Sequence, residues 1–137
     1  MGLRLLLVKD DEVLYEIPLL MEDWQRERLD DELKALEQEF DNFSMIFDAL
    51  SNKSRLRMMK RLFEDNDLTL GFTDFMKDLR LNPKTVWEGT KKLCRGGLLE
   101  KSNDGKYRCS ELGQAEFLMI SLLLRHLLHT FRELEEW

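Results

Sequence analysis

The strongest constraint on the fold lies between residues 82 and 97, where the signals that begin and end a helix follow one another. Asn82 is a favoured N-cap residue, and Pro83 suits the first helical position, where its missing amide hydrogen costs nothing. The Gly96-Gly97 pair then predicts the end of the helix. The apolar spacing of Val86 and Leu93 assigns one face of this helix to the interior, so its other faces are expected to meet solvent.

A shorter helix is predicted immediately before this one. Thr73 can act as its N-cap, because a threonine hydroxyl accepts hydrogen bonds from the free amides of a first turn, and the helix is expected to continue through Leu79. Arg80 and Leu81 would form the turn that follows. Two helices joined by a turn of a few residues are a helix-turn-helix, in which the second helix enters the major groove of DNA by its N-terminal part.

The segment after Gly97 has the pattern of a β-hairpin. Residues 98–101 and 106–109 flank Ser102-Asn103-Asp104-Gly105, and the Asp-Gly step is a hairpin-turn signal. A helix-turn-helix followed by a basic hairpin is a winged helix. The sequence therefore predicts a mainly α protein with a small β-hairpin wing, its winged helix-turn-helix domain spanning residues 44–116.

The two ends of the chain are predicted to add further elements. Two β-prone runs, residues 3–8 and 13–19, flank charged turn residues, so an N-terminal β-hairpin is expected over 1–20. An acidic helical extension is expected over 21–43, either as part of one long helix or as the first of two helices broken near Asn42. Ser110 can cap a long C-terminal helix, whose part from 117 to 137 is predicted to mediate dimerisation.

Both long helices carry apolar residues at alternating spacings of three and four, which place them along one seam. The C-terminal helix is also richer in leucine than one face of a small domain requires. These seams predict a homodimer. The predicted interface residues are Leu29, Leu33, Leu36, Phe40, Phe117, Ile120, Leu124, Leu127, Phe131 and Leu134.

Charge is distributed unevenly along this chain of net charge −6. Residues 1–50 hold five Lys or Arg and 14 Asp or Glu, whereas residues 77–108 hold nine Lys or Arg and four Asp or Glu. The Debye length at physiological salt is about 8 Å, so an acidic region one helix diameter away is largely screened from a basic surface. The net charge therefore does not exclude nucleic acid as a partner.

The residues expected to contact double-stranded DNA fall into two groups. Side chains on the exposed face near the start of the second helix are predicted to contact base edges: Lys84, Thr85, Trp87, Glu88 and Lys91. Cations farther along the helix and on the hairpin are predicted to contact phosphate: Lys92, Arg95, Lys101, Lys106 and Arg108. Trp87 leaves two interpretations open, since its indole could pack against the wing or contact sugars and thymine methyls.

Three segments resemble the winged-helix transcriptional regulators of the ArsR type. They are FDALSNKSRLRMMKRLF (47–63), NPKTVWEGTKKLCRGGLLEK (82–101) and GKYRCSELGQAEF (105–117). The resemblance implies a sequence-specific DNA-binding regulator with its recognition helix, about residues 82–95, in the major groove and its wing, 98–109, on the backbone. Metal-sensing members carry a Cys-x-Cys in helix three or acidic and His ligands in the last helix, whereas this chain has Phe75 and Met76 in helix three.

Other classes of function find little support in the sequence. No catalytic motif is present, so an enzyme is not expected, and neither is a cofactor. His126 and His129 lie one turn apart without a nearby cysteine, and Cys94 and Cys109 lack CxxC partners, so surface or interface histidines and free thiols are expected in place of a metal site.

Location and partners can also be predicted. The apolar runs are too short for an export signal or a membrane span, so a cytoplasmic protein without a membrane partner is expected. An alternative to DNA binding remains open, namely a winged-helix module for protein contact in a transcription or other nucleoprotein assembly. In that alternative the acidic N-terminal region would supply the interface for a protein partner.

Overall fold

The computed structural model describes residues 2–135, which form a mainly helical protein with two small antiparallel sheets. The chain divides into two compact units between Phe40 and Asp41. We call residues 2–40 the hairpin unit and residues 41–135 the helical unit. No helix among the described residues combines the length and the apolar composition that crossing a membrane would require.

The hairpin unit begins with the predicted N-terminal β-hairpin, which the structure confirms. Strands β1 (Arg4–Lys9) and β2 (Glu12–Pro18) pair in antiparallel register, with a bulge after Leu7. Asp10 and Asp11 both have positive φ, 50° and 65°, the left-handed conformation that a tight two-residue hairpin turn requires.

A short 3-10 turn (Met21–Asp23) leads from the hairpin to helix α1 (Arg26–Gln38). The Trp24 indole N–H donates to the Pro18 carbonyl at 2.8 Å, and the Tyr15 hydroxyl donates to the Glu32 carboxylate, so both contacts hold the helical part against β2. The pKa of Tyr15 is raised, chiefly because Glu32 accepts its hydrogen bond. No side chain between residues 2 and 40 is fully buried.

The helical unit contains strands β3 to β5 and helices α2 to α7, of which α2 begins one residue earlier, at Phe40. In chain order these are α2 (Phe40–Leu50), α3 (Lys53–Glu64), β3 (Thr69–Leu70), α4 (Phe72–Leu79), α5 (Pro83–Arg95), β4 (Glu100–Lys101), β5 (Tyr107–Arg108), α6 (Glu111–Leu118) and α7 (Leu124–Glu135). A π-helical stretch, Met119–Leu123, joins α6 to α7. The chain between 26 and 50 thus forms two helices, interrupted at Glu39 instead of near Asn42.

The core of the helical unit lies where α3, α4 and α5 pack together. Its largest fully buried side chains are Met58, Met59, Leu62, Phe75, Val86, Leu93 and Leu98. Gly89 lets α5 approach α3 closely, because a Cβ atom at this position would lie 2.7 Å from the Met58 sulfur. The apolar face predicted for α5 is therefore the face that is buried.

Side-chain caps fix where these helices begin. Asn82 Oδ1 accepts from the Thr85 amide at 2.8 Å, and Ser110 Oγ accepts from the Gly113 amide at 3.1 Å, so both predicted N-caps are confirmed. The predicted N-cap at Thr73 is wrong. Helix α4 starts after Gly71, whose amide donates to the Asp74 carboxylate at 2.8 Å, because β3 brings extended backbone up to Leu70.

A three-stranded sheet, in the order β3-β5-β4, packs beside the helices. Strands β4 and β5 form the predicted hairpin, with Glu100 opposite Arg108 and Lys101 opposite Tyr107. Strand β3 was not predicted. Its two residues pair with β5, Thr69 opposite Arg108, and so tie the hairpin to the segment between α3 and α4.

Candidate nucleic-acid interface

Helix α5 presents two contrasting faces. Val86, Gly89, Thr90 and Leu93 are buried. The opposite face is exposed at Lys84, Trp87, Glu88, Lys91 and Arg95. Because Asn82 caps the first turn and Pro83 occupies the first helical position, the exposed face begins at the helix N-terminus.

Four of the five side chains predicted to contact bases are exposed together on this face. Thr85 is the exception, since its side chain is half-buried. Trp87 is 56% exposed, and the Lys91 ammonium lies 4.7 Å from the centroid of its ring. This cation–π contact leaves the indole on the surface beside the hairpin.

Of the five side chains predicted to contact phosphate, two form ion pairs within the described residues and three do not. Lys92 is half-buried, with its ammonium 3.3 Å from the Asp48 carboxylate of α2. Arg108 lies 3.4 Å from the Glu100 carboxylate across the β4–β5 ladder. Both cations therefore have anionic partners within the helical unit. The other three, Arg95, Lys101 and Lys106, are exposed, with no ion pair in the described part of the chain.

The Glu100–Arg108 pair could have been predicted from the sequence, because the expected hairpin register places these residues opposite one another. The Asp48–Lys92 pair joins residues 44 positions apart and has no local signal. Two further carboxylates thus belong to the site, and neither was among the residues predicted for it from the sequence.

Two arginines of α3, one in its first turn and one in its last, connect elements of the fold. Arg55 donates to the Ala49 and Asp48 carbonyls at 2.7 and 2.8 Å, which joins α3 to the end of α2. Arg61 pairs with Asp78 at 2.9 Å, which joins α3 to α4. These contacts hold the helices that support α5.

The tip of the β4–β5 hairpin is tightly hydrogen-bonded. The Ser102 amide donates to the Lys106 carbonyl at 2.8 Å, and Gly105 takes a positive φ of 82° that closes the turn. The Asp104 carboxylate accepts from the Ser102 hydroxyl and the Lys106 amide, and these bonds lower its pKa. The hairpin therefore holds Lys101 and Lys106 on a defined backbone.

The predicted dimer residues differ in exposure. In the hairpin unit Leu29 is half-buried, whereas Leu33, Leu36 and Phe40 are exposed. In the continuous helical segment from α6 to α7, Phe117 is buried against Phe63, with ring centroids 5.0 Å apart. Leu124 and Phe131 are exposed there, and Ile120 and Leu127 are half-buried. The side chain of Leu134 lies outside the described residues.

Thiols and imidazoles give no sign of a metal centre. No group of three potential ligands comes together in the part of the chain that the structure describes, and His126 and His129 are exposed. Cys94 and Cys109 are free thiols. Burial raises the pKa of both, that of Cys109 to about 11, so both are neutral at physiological pH.

Comparison with protein families and with curated proteins found no match to this sequence. The geometry of α5 and the β4–β5 hairpin is thus the basis for assigning a function.

Proposed function

We propose that the helical unit contains a winged helix-turn-helix domain over residues 44–116, by which the protein binds double-stranded DNA at specific sequences and regulates transcription as a homodimer. The observation that carries this proposal is the exposed face of α5, which groups Lys84, Trp87, Glu88 and Lys91 at the start of a helix whose other face is buried. Helix α4 and a short turn precede α5, and a hairpin with exposed lysines follows it. This order matches a helix-turn-helix with a wing.

In this proposal α5 enters the major groove by its N-terminal part. Lys84 would donate to guanine, Thr85 would contact a thymine methyl, and Glu88 would accept from the cytosine amino group. Arg95, Lys101 and Lys106 would contact phosphates, releasing counterions and so making affinity dependent on salt. Lys92 and Arg108 would join them after leaving their carboxylate partners.

Exposed apolar side chains on α7 and on the π-helical stretch before it support dimerisation. Leu124 and Leu128 are each 53% exposed, and Met119 and Leu122 are exposed beside them. A helix that is apolar on several faces is normally covered by another element. A second copy of the chain would cover it, and a dimer on DNA must place its two α5 helices about 34 Å apart, or a multiple of that distance.

The DNA proposal is tested by selecting duplexes from a random pool and measuring affinity for the enriched site by fluorescence anisotropy. Lys84→Ala should relax specificity at one base pair, reducing discrimination there by about 5- to 150-fold. Lys101→Ala should weaken binding to all sequences alike and reduce the slope of log affinity against log salt by about 0.9. Lys34→Ala, in the hairpin unit, removes the same charge and serves as control. No enrichment, or identical behaviour of all three variants, would contradict the proposal.

Dimerisation is tested by sedimentation equilibrium at micromolar concentration. Leu124→Asp places a charge in the proposed contact and should yield a monomer, whereas Thr130→Asp, at an exposed position of the same helix, should leave the dimer intact. A wild-type monomer, or equal effects of the two variants, would refute this interface.

A second candidate function is protein contact through the hairpin unit. Leu6, Leu7, Val8, Val13 and Leu14 are all at least half exposed there. A two-stranded hairpin with no buried side chain gains stability from a further partner. The two candidates separate in the binding experiment, because a folded protein that binds no duplex even at low salt would favour protein contact.

A further inference from the structure

A groove of about 350 Å³ lies between α5 and the β4–β5 hairpin. It is lined by Trp87, Thr90, Lys91, Cys94, Lys101 and Tyr107. The exposed indole of Trp87 forms one wall, and the ring of Tyr107, only 8% exposed, closes the inner end. Backbone pairing of Tyr107 with both Leu70 and Lys101 fixes that ring in place.

The surface of this groove is mostly apolar, although Thr90 contributes a hydroxyl and Cys94 a thiol. The Thr90 hydroxyl donates to the Trp87 carbonyl at 3.1 Å and is thereby satisfied within α5. The Cys94 thiol is neutral, since burial raises its pKa. The walls therefore favour a flat, apolar ligand surface.

Two ammonium groups frame the groove. The Lys91 nitrogen lies 4.7 Å from the Trp87 ring centroid, and the Lys101 nitrogen lies 5.9 Å from that of Tyr107. None of the described residues that line the groove carries a carboxylate. Aromatic walls alone would attract cations, but two lysines disfavour a cation and favour an anionic ligand with a planar ring.

We propose that this groove receives one unpaired nucleobase, which stacks on Trp87 while Lys91 and Lys101 pair with the adjoining phosphate. The inference rests on the proposed binding of DNA and adds a preference for DNA that contains an unstacked nucleotide. Base edges in the major groove are recognised by hydrogen-bonding side chains, whereas an indole offers one donor and a large face. A base presents its matching face only when it leaves the stack.

The test compares one duplex with the same duplex carrying a single unpaired thymidine, the position of which is varied along the site. Stacking of one base on an aromatic side chain should make the second DNA bind about 5- to 150-fold more tightly. Trp87→Ala should abolish this preference, and Trp87→Phe should retain much of it. Trp24→Phe, in the hairpin unit, is the matched control and should leave the preference unchanged.

Tryptophan fluorescence gives an independent readout, because a base stacked on the indole should quench its emission. The quenching by the unpaired DNA should disappear in Trp87→Phe although that variant still binds, and it should persist in Trp24→Phe. A structural role of Trp87 alone would not produce this combination.

The outcomes separate the two proposals. Equal affinity for both DNAs, or an undiminished preference in Trp87→Ala, would overturn the groove inference and leave duplex binding intact. Binding of the unpaired DNA without binding of any duplex would support the groove and overturn the proposed function. Failure to bind either DNA would overturn both.

Discussion

Replacing Asp48 by Asn should strengthen DNA binding. In the free protein the Asp48 carboxylate holds the Lys92 ammonium at 3.3 Å, so Lys92 must leave this partner before it can contact a phosphate. The side chains of Lys92 and Asp48 are 39% and 58% exposed. Exposed ion pairs of this kind contribute about 0–1 kcal/mol. Removing the competing carboxylate should therefore lower the Kd by up to about fivefold.

The same substitution should also change how steeply the affinity for DNA depends on salt. If Lys92 contacts phosphate more fully in Asp48→Asn, the slope of log affinity against log salt should steepen by up to about 0.9. Folding stability should change by less than about 1 kcal/mol, because the lost ion pair is offset by removing a carboxylate close to the C-terminal end of α2, where it opposes the helix dipole. Anisotropy titrations over a series of salt concentrations measure both binding quantities, and urea unfolding measures stability.

Glu64→Gln is the matched control for this prediction. It removes one negative charge and breaks the exposed pair of Glu64 with Lys60 at 3.6 Å, a lysine outside the proposed interface. This variant should leave the salt slope unchanged. Equal affinities and equal slopes for Asp48→Asn and Glu64→Gln would refute the competition between Asp48 and phosphate.

Three further predictions concern the fold that supports α5. Gly113→Ala should destabilise the protein by about 1–3 kcal/mol in urea unfolding, because the new Cβ would lie 2.6 Å from the Leu98 carbonyl oxygen, and this outweighs the higher helix propensity of alanine. Ala115→Gly, in the same helix, measures the effect of helix propensity alone. A stabilised Gly113→Ala would show that this close approach is absent. Asn82→Ala removes the N-cap of α5 and should cost about 1 kcal/mol in the same assay, whereas no loss would show that the cap contributes nothing. Burial raises the pKa of Cys109 from 9.0 to about 11, so the folded state binds the thiol proton more tightly and the free energy of unfolding should fall as pH rises from 9 towards 11. Cys109→Ala should flatten that decline, and an equal decline in both proteins would exclude the thiol as its cause.

The helix at the centre of the site could be predicted from the sequence because its signals are local. Asn82, Pro83 and Gly97 act within one turn of the helix ends, and the buried spacing of Val86 and Leu93 needs only the helical period. The hairpin is similarly predictable, since its turn residues are adjacent. Each of these elements is specified by neighbours in sequence.

The elements that were not predicted depend on residues far apart in the sequence. Strand β3 has only two residues and exists because β5, far along the chain, pairs with it. The start of α4 at Phe72 follows from that pairing, so the N-cap is Gly71 and not the expected Thr73. Long-range backbone pairing of short segments leaves no periodic pattern in the sequence.

The same distinction applies to the charges of the site and changes what they can do. Counting cations along residues 77–108 treats all as available, but Asp48 and Glu100 hold Lys92 and Arg108 in the folded state. A paired cation gains less from a phosphate contact, because it must first break its ion pair. Lys84 and Lys91 on the exposed face have no ion pair to break within residues 2–135. The carboxylates of Asp48 and Glu100 should therefore weaken the contacts to phosphate more than they weaken the contacts to base edges. Asp48→Asn combined with Glu100→Gln should therefore raise affinity for random duplexes by at least the factor seen for the selected site, and so should not increase the ratio between the two affinities.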